Sequence, residues 1–304
     1  RANAVEVRGG RIAAVIAQNV TTGERLRFSG RWFADCTGDA AIGALAGAEY
    51  DMTRKGHMGR CNLWNVKETD APVPFPRCPW ALDLSDKPFP GRDGQGGIEQ
   101  LGGWYWESGF DRDPITDREA IRDWNFRAMY GAWDALKNVQ KLYPNHTLNW
   151  AAHIAGPRES RRLMGDIELT AEDLFAERQF EDGCVATGWE IDVHLPEKQY
   201  EAGFEGDAFI SKAHFTKYPK PFYVPYRCLY SRNVPNLFMA GRNVSVTHEA
   251  LGSVRVMRTG GLMGEVVGLA AACCKAHHTD PRQIYENHWE DFRNRLLAGV
   301  GAKS

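Results

Sequence analysis

Between Asn236 and Gly268 the chain gathers residue types that could hold a charged or carbonyl-rich group. Leu237 to Ala240 is a short apolar run that reads as a buried strand. Gly241-Arg242-Asn243 then opens a polar loop, charged and small residues follow, and a glycine-studded turn leads into a nearly all-apolar helix. A strand, a tight turn and a helix N-terminus present backbone N–H groups and the positive end of the helix dipole to an anion or carbonyl. The same glycines would also serve a βα unit that only needs close packing, and spacing does not choose between the two.

Other residues with chemical potential are scattered. Arg158, Arg161 and Arg162 fall within one short segment, either as surface ion pairs of small energetic weight or as an anion-binding wall. Tyr226 and Arg227 shortly precede the strand at 237, whereas His194 reads as a strand residue with a satisfied hydrogen bond. Asp111, Asp113, Asp166 and Glu168 are the carboxylates a hydrolase would need to pair across a cleft, but nothing in their spacing aligns a pair. The 7 cysteines include no Cys-x-x-Cys, which argues against an iron–sulfur or zinc site, and the odd number argues against a complete disulfide framework. Histidines show no ligand spacing beyond His277-His278, at a helix C-terminus where the dipole suffices to explain them; no metal is expected.

Composition bounds the rest. With 304 residues and 43% apolar content the chain can bury a large core, as two lobes. A net charge of −2 with interspersed signs points to no nucleic-acid partner, and no apolar run reaches the ~18 residues of a spanning helix. No compartment is specified; cytoplasmic is the default, with periplasmic or secreted left open. The first residue is Arg1 and no signal peptide is visible, so the chain is expected to be the later part of a larger protein.

The elements that must position these residues follow in order. Residues 4–35 alternate as a β-meander through turns at Gly9-Gly10 and Thr21-Thr22-Gly23. Arg31 to Cys36 forms a short strand into Thr37-Gly38-Asp39, with Asp39 expected to cap a small-residue helix from Ala40 to Ala48 that ends at Gly47. Six prolines between Pro72 and Pro90 make that region irregular. Seven of the 10 tryptophans lie between Trp64 and Trp150, as an aromatic satellite core or as a wall on which sugar faces stack. Thr116-Asp-Arg-Glu119 reads as a capping box for a helix over about 117–141, with Ile121, Trp124, Ala128, Ala132, Leu136 and Val139 on its buried stripe. Thr170 to Asp173 caps a short helix, 184–226 returns as strands, and Asp280-Pro281 starts the last helix, with Tyr285, His288, Trp289, Phe292 and Leu296 on its apolar face.

The run Ala34-Asp-Cys-Thr-Gly-Asp39 through Ala48, after a meander, is similar to the Ala-Thr-Gly segment of FAD-dependent oxidoreductases with the glutathione-reductase-like fold. Phe238-Met-Ala-Gly-Arg-Asn243 resembles their second flavin-contacting motif, where many relatives have Gly-Asp rather than Gly241-Arg242. Together with Thr247-His-Glu-Ala-Leu-Gly-Ser-Val-Arg-Val-Met257 and the Arg-Glu-x-Arg-Arg run at 158–162, the chain resembles a bacterial subfamily sometimes labelled xanthan-lyase-related. The family's Gly-x-Gly-x-x-Gly is absent. Its nearest imitation, Gly94-Gln-Gly-Gly97, has Glu99 at the third glycine and no preceding strand.

The resemblance implies an α/β fold with an α+β insertion: an incomplete FAD/NAD(P)-binding, Rossmann-like domain carrying a β-meander and a Trp-rich substrate-side lobe. It divides the chain into 1–50 (meander and return strand), 51–225 (substrate-side lobe) and 226–304 (return to the FAD domain). It implies FAD, with Thr37, Gly38, Asp39, Gly241, Arg242, Asn243, Gly252, Ser253, Gly260, Gly261, Met263 and Gly264 near the cofactor. The pyrophosphate half of the site would be a βαβ segment upstream of Arg1. His248, of the side-chain type best suited to proton transfer near neutral pH, is the candidate base for a substrate hydroxyl, with Arg255, Arg258, Tyr226 and Arg162 beside substrate or flavin. The implied activity is hydride transfer between FAD and a small polar, sugar-derived substrate, with the electron acceptor unspecified. The alternatives are a carbohydrate-binding or carbohydrate-hydrolysing protein, and a non-catalytic subunit that keeps a flavoprotein fold.

Overall fold

Alternation at the start of the chain folds into a meander. Strands Ala2–Arg8, Arg11–Gln18 and Arg25–Ser29 pair antiparallel in sequence order, and Ile12, Ala14 and Val15 of the middle strand are its buried residues. The computed structural model describes residues 1–92, 96–200 and 207–299; the glycine run at 94–97 lies partly outside the described residues. Helix and strand are interspersed from end to end in small sheets, a mixed α/β content. No single described helix is long and apolar enough to cross a membrane.

The chain packs as two compact units. The first comprises 1–53, 160–192 and 215–304; the second comprises 54–159 and 193–214. Residues 160–192 and 215–225, expected with the substrate-side lobe, therefore pack with the first unit.

In the first unit the return strand Phe33–Asp35 runs parallel to Leu237–Met239, in the register Phe33↔Leu237, Ala34↔Phe238, Asp35↔Met239. All three residues of the later strand are buried, as its unbroken apolar run requires. Helix His248–Val254 follows, then Met257–His277, bent from it by 89°. The single terminal helix expected from Asp280 is two, Pro281–Asn287 and Trp289–Ala298, broken at His288, whose φ of −133° leaves the helical region. The first starts with the Asp280/Gln283 capping box and Pro281 in its first turn.

The second unit is built around helix Arg118–Asp134, which continues as a π-turn over Ala135–Val139. Trp64, Trp106, Trp124, Trp133, Leu136 and Phe209 form its core, so these tryptophans serve packing. Others stay at the surface, with Trp104 and Trp150 about half exposed. Val139 is exposed rather than on the buried stripe, because the π-turn rotates the last residues out of phase. The capping box at Thr116 does not form: Asp117 takes the N-cap place and Asp113 accepts the Thr116 N–H.

Candidate functional site

Asp35 organises the loop region of the first unit. It is fully buried at the end of its strand, where Oδ1 accepts the Thr37 N–H (2.9 Å) and hydroxyl (2.7 Å) and Oδ2 accepts the Gly43 N–H (2.8 Å). Its carbonyl accepts the Ala240 N–H (3.2 Å) and the Asn243 side-chain amide (3.0 Å). One aspartate thus fixes the turn after the first strand and ties it to the loop after the second.

Thr37, not Asp39, satisfies the start of the Ala41–Leu45 helix, through Oγ1 and the Ala41 N–H (2.8 Å). Asp39 is drawn away by charge. Its Oδ1 meets the Arg242 guanidinium at 2.6 Å and the Ser160 hydroxyl at 2.7 Å, while Arg242 also donates to Ser160 (2.8 Å) and Arg161 donates to the Asp39 carbonyl (3.0 Å). Gly38 sits at φ +75°, a conformation that calls for glycine, and a Cβ there would lie 3.1 Å from that guanidinium. Gly241, at φ +103°, donates its N–H to the Met263 sulfur at 3.4 Å, tying the loop to the long helix. Asn243 is buried, with no partner for its Oδ1 among the described residues.

Thr247 caps the next helix by accepting the Ala250 N–H, and His248, partly buried, is its first residue. Gly252 lies against the backbone of Asp192, where a Cβ would meet its amide nitrogen at 2.7 Å, and Ser253 gives its carbonyl to the Thr187 hydroxyl. Arg255 holds Asp192 through its carbonyl (2.9 Å) and carboxylate (3.2 Å) at the bend between the helices.

A cleft of about 770 Å³ opens at the start of the Met257–His277 helix, lined among others by Thr187, Trp189, Arg255, Arg258 and Leu262. No side chain caps this helix, so its first N–H groups have no partner from a cap. Gly260, Gly261 and Gly264 form an open face on it, where an added Cβ would meet nothing within 4 Å.

Two expected catalytic residues lie elsewhere. Tyr226 is fully buried among Tyr230, Trp289 and Phe292 and donates its hydroxyl to the Pro281 carbonyl at 2.9 Å. Burial pushes its phenol well above the ordinary range, so it stays neutral and acts in packing. Arg162 is likewise buried and donates to the Val246 carbonyl (2.8 Å), the Asp51 carboxylate (2.7 Å) and Thr53 (3.3 Å), bracing the loop from behind. The three arginines at 158–162 do not converge. Arg158 belongs to the second unit, where it pairs with Glu107 at 3.0 Å.

Glu107 is a polar centre the sequence did not disclose. Its Oε2 accepts from Arg158, His194 Nδ1 (2.7 Å) and the Ser211 hydroxyl (2.7 Å), and Oε1 has no partner among the described residues. Burial raises its pKa, but hydrogen bonding from His194 and the charge of Arg158 outweigh this, and the net shift is downward. His194 has the satisfied hydrogen bond expected of it. Ser160, Thr187 and Trp189 escape sequence reasoning, since a single polar or aromatic residue in a loop or at a strand end carries no periodic signal.

Residues 1–66 and 104–296 match the model of a protein family described as FAD dependent oxidoreductase. No curated protein and no solved structure matches the chain. The residues present fit the ring end of such a cofactor. The first turn of an uncapped 21-residue helix lines the cleft beside Arg258, whereas Gly260, Gly261 and Gly264 leave open space on a part of the helix outside the cleft lining. Among the described residues no strand–glycine turn–helix of the kind that cradles a pyrophosphate accompanies it.

Proposed function

Since the chain belongs to the FAD-dependent oxidoreductase family and FAD is its cofactor, we propose that it oxidises or reduces a small polar substrate by hydride exchange at the cleft before Met257. Sugar-derived alcohols are the first class to examine. The observation that carries this reading is the cleft at the uncapped start of the Met257–His277 helix, with Arg258 on its wall. Bound FAD would supply the two-electron chemistry, leaving position and charge control to the protein.

In this reading the chain's own residues divide the work. The first-turn N–H groups of the Met257–His277 helix and the Arg258 guanidinium would face the bound ring and would stabilise negative charge on it. Gly260, Gly261 and Gly264 let the backbone come close, and Met263 holds the loop through Gly241. Asp39 and Ser160 keep Arg242 in place, with Gly38 beside the guanidinium and Thr37 fixing the turn through Asp35, so that the loop from Gly241 to Asn243 would present its backbone to the cofactor. Arg255 fixes the bend through Asp192, and His248, first in its helix, takes the substrate hydroxyl proton. The fold is read as a Rossmann-like FAD-binding domain.

The test is anaerobic reduction of the FAD-loaded protein by a panel of polar alcohols, sugars included, followed by flavin absorbance. His248→Gln is expected to keep the flavin bound and slow its reduction at least tenfold, a typical share for one acid–base group. Reduction by no member of the panel would refute the substrate class, and an unchanged rate in the variant would remove His248 from the chemistry.

A further inference from the structure

The last two helices and the end of the long one bring together a thiol, an imidazole and a carboxylate. Cys273 and His277 stand four residues apart, on one face of the Met257–His277 helix. Asp291, in the Trp289–Ala298 helix, faces them. Its Oδ2 lies 2.8 Å from His277 Nε2 and 3.6 Å from Cys273 Sγ, and the three ligand atoms all fall within 4.8 Å of one another. We propose that Cys273, His277 and Asp291 form a binding site for a divalent metal of the zinc class, joining the long helix to the C-terminal one.

The donor set suits that class. Thiolate, imidazole and carboxylate are the zinc ligands, and tetrahedral bonds of about 2.0–2.3 Å place neighbouring ligand atoms about 3.3–3.6 Å apart. The sulfur–oxygen separation already matches this. The nitrogen–oxygen contact must open by about half an ångström, a shift within reach of the exposed His277 side chain. The surroundings orient two of the three. His288 stacks on the His277 ring with centroids 3.9 Å apart and planes 17° from parallel, and Arg295 donates to Asp291 at 2.9 Å. Such outer partners hold ligands in position and stay in place when the metal binds. Three protein ligands leave a fourth position for water. A thiol binds a metal as thiolate, so coordination by Cys273 releases its proton to solvent as the sulfur–metal bond forms.

The pairing escapes a search for Cys-x-x-Cys or His-x-x-x-His because its ligands are of three types and one comes from another helix. It is also remote from the cleft. Cys273 and His277 lie 16 and 20 residues beyond Met257, about 24–30 Å along the axis at 1.5 Å per residue. The proposal therefore stands whether or not the reading of the cleft holds.

The test uses the purified whole protein, stripped with a chelator and desalted, then titrated calorimetrically with Zn²⁺ and spectrophotometrically with Co²⁺. Difference spectra remove any flavin absorbance. One equivalent is expected to bind with a micromolar or tighter dissociation constant, and cobalt should give a thiolate-to-metal charge-transfer band. Cys273→Ser should abolish that band. His277→Ala, on the exposed side of the helix where folding is not at risk, should weaken binding at least tenfold, while His278→Ala should leave it unchanged. A band that survives Cys273→Ser, a wild-type protein with no band, or equal affinities in the wild type and His277→Ala would each overturn the site.

Discussion

Replacing Gly264 by alanine should make the protein more stable and its hold on FAD weaker. Gly264 lies inside a 21-residue helix, exposed, and an added Cβ meets nothing within 4 Å. Glycine in a helix interior costs about 0.5–1 kcal/mol relative to alanine, and here no clash offsets the gain. For a protein of this size that gain raises Tm by about 1–3 °C. If the glycine face is where the helix meets the cofactor, the same methyl group intrudes on a close contact, at about 1–3 kcal/mol. That corresponds to a 5- to 150-fold loss of FAD affinity at about 1.4 kcal/mol per decade. Gly268, one turn further along and equally open, supplies the control, since Gly268→Ala should give the stability without the loss. Thermal unfolding of the apoproteins and fluorescence titration with FAD measure the two quantities separately. Equal FAD affinity in Gly264→Ala and Gly268→Ala would refute the close-approach role of this face, and a fall in Tm would refute the open space on which the argument depends.

Three further outcomes follow from buried polar contacts. Glu107→Gln removes the charge that Arg158 and His194 surround and should cost about 3 kcal/mol, read by denaturant unfolding. Because the folded Glu107 titrates below its unfolded value, its contribution is full above the ordinary carboxylate pKa and is lost as pH falls through the lower folded one. The wild type should therefore lose stability on acidification in that window, and a Glu107→Gln protein with the same acid slope would contradict the assignment. Tyr226→Phe should cost about 1 kcal/mol by stranding the Pro281 carbonyl, with turnover unchanged; a lost turnover would return Tyr226 to the chemistry. Arg242→Ala leaves Asp39 and Ser160 without their cation and should weaken FAD binding roughly tenfold, measured by the same titration.

What was legible in the sequence had a local cause. The meander announced itself by alternation and Gly9-Gly10, and the paired strands at 33–35 and 237–239 by short apolar runs that end in glycine turns. What was not legible depended on partners far along the chain. Asp39 reads as a cap until Arg242, about two hundred residues later, takes its carboxylate. Thr116 reads as the head of a capping box until Asp113 accepts its N–H from the other side. The bend between His248–Val254 and Met257–His277, where Arg255 reaches back to Asp192, is announced by no periodicity in either segment. Cys273 and His277 look unrelated until Asp291 stands opposite them. Tyr226 fails for a different reason. Its place just before the cofactor-like strand suggested the site, but its ring fills the aromatic core beneath.

The arginines of the first unit's site acquire different meanings once their partners are counted. Arg162 is committed to Asp51 and a carbonyl, Arg242 to Asp39 and Ser160, Arg255 to Asp192. A guanidinium already neutralised by a carboxylate at hydrogen-bond distance adds little field at a distance, so these three act as rivets that set loop geometry. Among the described residues no carboxylate pairs with Arg258, which is exposed at the cleft beside the uncapped helix end. The unopposed positive potential at the cleft then comes from Arg258 and the helix N–H groups acting together. Arg242 is turned to Asp39, and under the proposed reading the charge a ligand would meet is set by Arg258 and the uncapped helix end.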